Sequence, residues 1–310
     1  MIVKELNTNP PITRTGNPTK CIQYCDDLIS GMLMKRFSIT AAQHRCFPGF
    51  THYLTVNLAG CDLAQALFVA PMVAGACLKG RWISGEVGCS VDGFSMTMLG
   101  FISIYSTMGI ALDRCFAIKT SHKPRKVKLS VTRQMTVLLA VWLGAIIWAM
   151  PPLVGICGYA SEVIPVSCSY DFLNKEKSCV WFIISAVVAG FIIPLTATLL
   201  TFHKVYSAVV EYQDQIRETD FIQKGLRSRE RWKRRKMALA TDLARMSLAS
   251  MLLFCGSWLP YTILALVTMF YHSPSSVSWL SVLPPILAKI STILHPVMFG
   301  LLDHKVRKRK

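Results

Sequence analysis

The chain has little charge for its length. Only 16% of its 310 residues are charged, whereas 52% are hydrophobic. Soluble domains carry about a quarter charged residues, so this composition excludes an ordinary soluble protein and indicates a polytopic membrane protein. Residues 1–50 also lack an apolar run of spanning length, because Asp26 and Asp27 interrupt the stretch from Ile22 to Met34. We therefore expect an atypical N-terminal segment at 1–50, without a clear first transmembrane helix.

Six apolar runs are each long enough for a membrane-spanning helix. They lie at 53–78, 90–116, 135–157, 179–202, 243–270 and 280–302. The net charge of +17 is concentrated in alternate connections, and residues 119–133 contain six basic residues and no acidic one. This positive-inside pattern predicts that the basic connections and the C-terminus are cytoplasmic, and it needs no nucleic-acid partner. The helical bundle should occupy 51–302, followed by a short basic tail at 303–310.

The sequence lacks several other kinds of site. It has no zinc-ligand spacing, no cleavable signal peptide and no Asn-x-Ser/Thr sequon, so we expect no metal. Most of the eleven cysteines lie within apolar runs, where a thiol is usually a small core residue. Cys89 and Cys168 differ, because both fall on the predicted outer side, where disulfides persist. We expect these two cysteines to pair.

One lysine, Lys289, lies near the middle of the apolar run at 280–302. In a helix it would lie about 14 Å from one end of the run, close to the bilayer midplane. Lysines at such a depth are rare and usually mark function, and a snorkelling side chain would not reach the interface from there. An apolar pocket favours the neutral amine, which can attack an aldehyde. The sequence therefore predicts a buried lysine that forms a Schiff base.

Successive apolar runs carry polar and proline motifs in a fixed order. They are Asn57-Leu58-Ala59 with Asp62, Asp113-Arg114-Cys115, Trp142, Pro194, Ser257-Trp258-Leu259-Pro260-Tyr261 and His295-Pro296-Val297-Met298-Phe299. Together they resemble the motifs of rhodopsin-like G-protein-coupled receptors. The resemblance implies an all-α membrane protein with a rhodopsin-like seven-helix bundle, of which six spanning helices are clear. The first helix of the family has no counterpart at 1–50. An alternative first exon, an error in the gene model or a true six-helix product would each give this sequence, and we favour the first two.

Within that family the chain resembles an opsin, because Lys289 precedes Pro296 by seven residues, the spacing of the retinal-binding lysine. Glu162 and Asp92 match the two positions where opsins place the acid that neutralises the Schiff base. We expect Glu162 to be the dominant counterion and Asp92 to contribute. The other positions that match the opsin pocket are Thr97, Gly100, Phe191, Trp258 and Tyr261. The implied cofactor is retinal, as the 11-cis isomer.

The resemblance implies a light-sensing receptor, not an enzyme, that activates a heterotrimeric G protein. Membrane lipid, arrestin and a receptor kinase are further implied partners. The residues implied in switching and coupling are Asp62, Asp113, Arg114, His295 and Pro296. Phe202 and Phe299 replace family tyrosines whose hydroxyls stabilise the active state, so we expect weak or unusual coupling.

Two alternatives stay open. A retinal photoisomerase of the opsin family would use the same lysine and would explain the altered activation motifs, whereas the retained Asp113-Arg114 pair disfavours it. The other alternative is a receptor for a diffusible ligand. An amine ligand is disfavoured, because Met96 stands where amine receptors have an acidic residue.

Overall fold

The computed structural model describes residues 50–119, 131–162, 166–219 and 227–270, together with 283–284 and 287–288. The segment 1–49, most of the apolar run at 280–302 and the tail at 303–310 lie outside these ranges. The predictions for a missing first helix, for Lys289 and for the His295-Pro296 motif therefore stay predictions.

Apolar runs of the sequence form the helices of a bundle. These are α1 (Phe50–Ala64), α2 (Ala70–Lys79), α3 (Gly85–Lys119), α4 (Val131–Ala149), α5 (Lys177–Val187), α6 (Ile193–Thr219) and α7 (Arg227–Phe270). Two π-helical turns, Gln65–Val69 and Val188–Ile192, join α1 to α2 and α5 to α6. The chain therefore continues as a helix through both junctions. Helix α7 also stays helical through Pro260.

Within the described ranges, four helical stretches are long and apolar enough to cross a membrane. They are Tyr53–Lys79, Gly85–Asp113, Lys177–Glu211 and Ser247–Phe270. Each matches a run identified in the sequence. The predicted run 135–157 was too long, because its apolar helix covers only Gln134–Ala149. Pro151 and Pro152 then open a 3-10 turn, since proline lacks the N–H that would continue the helix.

Helix α3 lies at the centre of the described bundle and contacts α1, α4, α6 and α7. Small side chains such as Ala145, Ala186 and Ala189 let the neighbouring helices approach it closely. Large apolar side chains lie on the outer surface of the bundle, where Phe68 is 69% exposed and Trp181 is 70% exposed. Apolar side chains on the outside of a closely packed bundle are typical of a protein that faces lipid.

A two-stranded antiparallel hairpin lies between α4 and α5. Strand β1 (Tyr159–Ser161) pairs with β2 (Cys168–Tyr170), so that Ser161 is opposite Cys168. Gly155 and Gly158 have φ values of 96° and 103°, which favour glycine and let the chain reverse before β1. Both strands contact α3. We call β1, β2 and the adjoining Glu162 the lid hairpin.

Candidate functional site

A cavity lies between α3, α5, α7 and the lid hairpin. It contains about 1010 Å³ of space free of atoms, including its open side. The five wall residues expected from the sequence all line it, and they are Thr97, Gly100, Phe191, Trp258 and Tyr261. Most other lining residues are apolar, as is usual in sites for small molecules. The structure therefore brings together side chains from three separate stretches of the chain.

Aromatic rings of α7 and of the π turn Val188–Ile192 form one wall of the cavity. Phe254 stacks on Trp258 with ring centroids 5.5 Å apart, and Trp258 meets Tyr261 edge to face at 5.8 Å. Phe191 approaches Phe254 at 5.8 Å. Phe254 was not among the residues expected from the sequence. It could have been found, because it precedes Trp258 by four residues and therefore shares a helix face with it.

Glu162 is the acidic residue among those that line the cavity in the described part of the chain. The Tyr261 hydroxyl donates a hydrogen bond to its Oε1 at 3.0 Å. The Ser167 hydroxyl donates to its Oε2 at 2.8 Å. These two donors fix the carboxylate between the lid hairpin and α7, at the edge of an apolar space. The Glu162 carboxylate could therefore pair with a cation in that space.

Asp92, the second candidate acid, lies on α3 and is fully buried, with 0% exposure. Its Oδ2 accepts a hydrogen bond from the backbone N–H of Cys168 at 2.9 Å. Cys168 lines the cavity, whereas Asp92 does not belong to the described residues that line it. The two acids therefore have different neighbours. Glu162 faces the cavity, and Asp92 binds the lid hairpin.

Two disulfides fasten the segment around the lid hairpin. Cys89 of α3 bonds Cys168 of β2 with an S–S distance of 2.04 Å, which is the pair expected from the sequence. A second bond joins Cys157, just before β1, to Cys179 of α5. These two cysteines were expected to be core thiols of apolar spans, and that expectation was wrong. Cys157 ends the run 135–157, which extends beyond α4, and Cys179 lies in the first turn of α5, so both fell inside apolar runs.

Two tyrosines of the lid hairpin bind the end of α4. The Tyr159 hydroxyl donates to the Ala149 carbonyl and the Tyr170 hydroxyl to the Trp148 carbonyl, each at 2.8 Å. These acceptors are in the last turn of α4, where carbonyls have no partner within the helix. The two rings also stack, with centroids 5.8 Å apart. Burial raises the pKa of both phenols above the ordinary value, and a hydrogen bond with Thr97 partly offsets this.

The residue before Lys289 contributes to the cavity. Ala288 is 3% exposed and lines the cavity, while Lys289 itself lies outside the described residues. The Schiff-base lysine was predicted from its depth in an apolar run. Its immediate neighbour in sequence is thus part of the predicted binding site.

The two switch residues whose side chains the structure describes, Asp62 and Asp113, do not line the cavity. Asp62 is buried on α1, and on the same helix Asn57 donates to the Ser106 hydroxyl and accepts from the Trp142 indole N–H. Asp113 is half-buried on α3. The Arg114 side chain, His295 and Pro296 lie outside the described part of the structure.

Apolar contacts join α3, α6 and α7 at the same end as Asp113. Val205 and Ala244 are buried there, and Cys115 and Phe202 pack against them. Phe202 also stacks on Tyr206. We call Val205, Ala244, Cys115 and Phe202 the cytoplasmic cluster, after the side of the membrane that the basic connections predict for this end.

Known proteins that resemble this chain in sequence are receptors. Residues 38–299 match the family described as 7 transmembrane receptor (rhodopsin family). Melanopsin of Rutilus rutilus is 31% identical over 257 residues, and melanopsin of Homo sapiens is 29% identical over 252 residues. Both alignments cover 81% of this chain, and 49% and 52% of the respective relatives. The chain thus spans about half the length of the curated relatives it matches.

The fold is similar to that in the crystal structure of squid rhodopsin. The TM-score is 0.79 at 23% identity, over 94% of this chain and 85% of that chain. At this identity the likeness supports the fold alone, and it agrees with the seven-helix bundle expected from the sequence. Because the family match covers most of the sequence, the chain belongs to the rhodopsin family of seven-transmembrane receptors, which are multi-pass membrane proteins and not enzymes.

Proposed function

We propose that the chain is a light-sensing receptor that binds retinal in the cavity between α3, α5, α7 and the lid hairpin. The observation that carries the proposal is the composition of the cavity wall. Residues expected from the sequence converge there on one apolar space, beside one carboxylate, Glu162. The similarity to melanopsins agrees with this function.

The residues of the cavity fit retinal, which is a long apolar polyene with an aldehyde at one end. Gly100 leaves room, because an added Cβ there would meet no atom within 4 Å. Trp258, Phe191 and Phe254 offer aromatic faces to an apolar chain. When bound, retinal supplies the absorption of light and the change of shape that starts the response. The protein supplies the attachment point, the walls and the charge.

Lys289 is the residue that we assign to the attachment. Its amine would form a Schiff base with the aldehyde, a reaction that needs a neutral amine and is favoured by apolar surroundings. The burial of Ala288 in the cavity wall supports this assignment. Within the apolar runs of the sequence, Lys289 is the lysine at mid-depth.

Glu162 is the residue that we assign as the counterion. A protonated Schiff-base nitrogen is a buried cation, and a buried cation without a partner costs several kcal/mol. Glu162 lines the cavity, and its carboxylate is already held by Tyr261 and Ser167. These donors keep the carboxylate in place, so no side-chain reorganisation is needed when the cation forms.

The signal would travel from Trp258 along α7 to the cytoplasmic end. Helix α7 contacts both α3 and α6, and Pro260 lies two residues from Trp258. Proline removes a backbone hydrogen bond and creates a point where the helix can bend. We propose that movement of α7 opens the region around Asp113 and Arg114 to a heterotrimeric G protein. Arrestin and a receptor kinase are the further partners proposed for this end, and the C-terminus lies on the same side.

Reconstitution of the full chain with 11-cis-retinal tests the binding proposal. We expect a visible absorption band, and borohydride reduction followed by peptide mapping should place the adduct on Lys289. Lys289→Ala should lose the band, whereas Lys175→Ala, an exposed lysine before α5, should keep it. An adduct on another lysine, or an unchanged band in Lys289→Ala, contradicts the proposal.

The counterion is tested by the spectrum of Glu162→Gln. Without its negative charge, the nitrogen should lose its proton at pH 7 and the band should move to the near ultraviolet. Glu176→Gln, an exposed acid at the start of α5, is the matched control and should keep the visible band. A visible band in Glu162→Gln at pH 7 would mean that another acid holds the proton.

Light-dependent nucleotide exchange on a purified G protein tests the signalling role. We expect exchange to increase on illumination of the reconstituted chain. Release of retinal isomers in the light without nucleotide exchange would instead favour the photoisomerase alternative.

A further inference from the structure

Asp92 occupies an unusual place for a residue of its charge. It is fully buried near the extracellular end of α3, three residues after Cys89. Its carboxylate accepts the backbone N–H of Cys168, the cysteine that the disulfide joins to Cys89. The same strand residue is thus bound to α3 twice, once through its sulfur and once through its backbone.

These two links constrain different parts of Cys168. The disulfide holds the side chain within reach of α3, but rotation about its single bonds leaves the strand direction free. The hydrogen bond to Asp92 fixes the backbone N–H, and a bond from a buried N–H to a carboxylate is among the stronger hydrogen bonds in proteins. Asp92 therefore constrains the orientation of β2 relative to α3, while the Tyr170 hydroxyl ties the same strand to α4.

The orientation of β2 in turn determines where Glu162 lies. Ser161 is opposite Cys168 in the hairpin, and the Glu162 N–H donates to the Ser167 carbonyl at 3.0 Å. The Ser167 hydroxyl also donates to the Glu162 carboxylate. A shift of Cys168 would therefore move Ser167, and with it the carboxylate that faces the cavity.

Asp92 binds a strand residue of the cavity wall. Met96, one helical turn further along α3, lines the cavity, and so does Cys168. Asp92 is not among the described lining residues, and its Oδ2 is engaged by Cys168.

We infer that Asp92 is a positioning residue, which fixes β2 and thereby places the Glu162 carboxylate at the cavity, and that it is not itself the counterion. This inference rests on the proposed function for its spectral consequences. Its structural part, the fixing of the lid hairpin, does not depend on retinal.

Two variants of Asp92 separate the two roles. Asp92→Asn keeps an oxygen that can accept the Cys168 N–H but removes the charge, whereas Asp92→Ala removes both. The first measurement is hydrogen exchange of the β2 amides in the full chain without retinal. We expect exchange to be about 10-fold to 100-fold faster in Asp92→Ala, as for the loss of a hydrogen bond to a charged group, and intermediate in Asp92→Asn, whose neutral amide oxygen accepts a weaker bond.

The second measurement is the absorption spectrum with retinal between pH 5 and 9, with Glu162→Gln alongside. Asp92→Asn should keep the visible band at pH 7. In Asp92→Ala the visible band should be lost at a lower pH than in wild type, because a displaced Glu162 carboxylate stabilises the proton on the Schiff-base nitrogen less. If the Ala variant does not fold, the spectrum of Asp92→Asn decides, since a counterion cannot be replaced by a neutral amide.

A near-ultraviolet band in Asp92→Asn at pH 7 would overturn the inference and make Asp92 the counterion. The inference would also be overturned if the β2 amides of Asp92→Ala exchanged at the wild-type rate. The same holds if they exchanged as fast in Asp92→Asn as in Asp92→Ala. If wild type forms no pigment at all, the proposed function fails, and the exchange measurement still decides whether Asp92 fixes β2.

Discussion

The lid hairpin and the cytoplasmic cluster are held by different kinds of interaction. Around the lid hairpin there are two disulfides, two tyrosine hydroxyls on α4 carbonyls and the carboxylates of Asp92 and Glu162. The cytoplasmic cluster is a set of apolar contacts between α3, α6 and α7.

Directional bonds and apolar contacts respond differently to displacement. A hydrogen bond weakens steeply when its geometry changes, and a disulfide fixes a separation. Apolar contacts are non-directional, so two helices can slide past one another and keep most of the buried area. The contrast implies that the lid hairpin is held rigidly, whereas the helices can move within the contacts of the cytoplasmic cluster.

The largest effect should come from the disulfides. The Cys89–Cys168 bond closes 79 residues and Cys157–Cys179 closes 22. By chain entropy these loops correspond to about 4.5 and about 3.4 kcal/mol. We therefore expect replacement of both Cys89 and Cys168 by alanine to lower thermal stability and surface expression most. Replacement of both Cys157 and Cys179 should lower them somewhat less. Cys115→Ala, in the cytoplasmic cluster, is the control. A loss of thermal stability in Cys115→Ala as large as in either double variant would contradict the contrast between the lid hairpin and the cytoplasmic cluster.

Gly93→Ala should have the next largest effect. Gly93 lies on α3 directly beneath Tyr159, and a Cβ there would overlap the tyrosine ring. Either the lid hairpin or α3 must move, and such overpacking usually costs about 1–3 kcal/mol. Gly60→Ala on α1, where a Cβ meets nothing within 4 Å, is the matched control. Equal melting temperatures for the two variants would show that the lid hairpin can move to accept the added methyl group without a loss of stability.

A smaller effect concerns alkaline pH. Burial raises the pKa of Tyr159 and Tyr170 in the folded protein, while in the unfolded chain they ionise near the ordinary value of about 10. Above that pH the unfolded state releases protons that the folded state keeps, so stability should fall as pH rises beyond about 10 and stay unaffected by these groups below it. Tyr159→Phe with Tyr170→Phe should flatten the decline in melting temperature between pH 9 and 11. An unchanged decline would mean that other groups cause it.

The smallest effect on stability should come from Phe202→Tyr in the cytoplasmic cluster. The ring is half-buried and the change adds one hydroxyl, so we expect a change of less than about 1.5 kcal/mol. Light-driven nucleotide exchange should nevertheless increase, because the hydroxyl that rhodopsin-like receptors use to stabilise the active state is restored. Exchange at the wild-type rate would show that Phe202 does not limit coupling.

The sequence predicted those parts of the fold that depend on long-range patterning. Apolar runs identified four of the spans because a spanning helix needs a minimum length, and the run 135–157 was misjudged only where Pro151 ends the helix. Cys89 and Cys168 were paired because both fall in outer segments. The wall residues of the cavity followed from their resemblance to a known family.

Other parts of the site depend on three-dimensional contacts that leave no local signal. Cys157 and Cys179 are embedded in apolar stretches, which made them indistinguishable from core thiols. Asp92 and Glu162 look equivalent as outer acids in the sequence. Only the hairpin register, which brings the Cys168 N–H to Asp92 and Ser167 to Glu162, gives them different surroundings.

The length of α7 gives it the properties of a lever. At 1.5 Å per residue, Trp258 in the cavity wall lies about 46 Å along the axis from Arg227, where the helix begins. A rigid tilt of about 5° near Trp258 would carry the Arg227 end through about 4 Å, although the displacement beside the cavity would stay within a bond length. A ligand that changes shape only slightly at one end could therefore produce a movement at the other end large enough to alter a protein-binding surface.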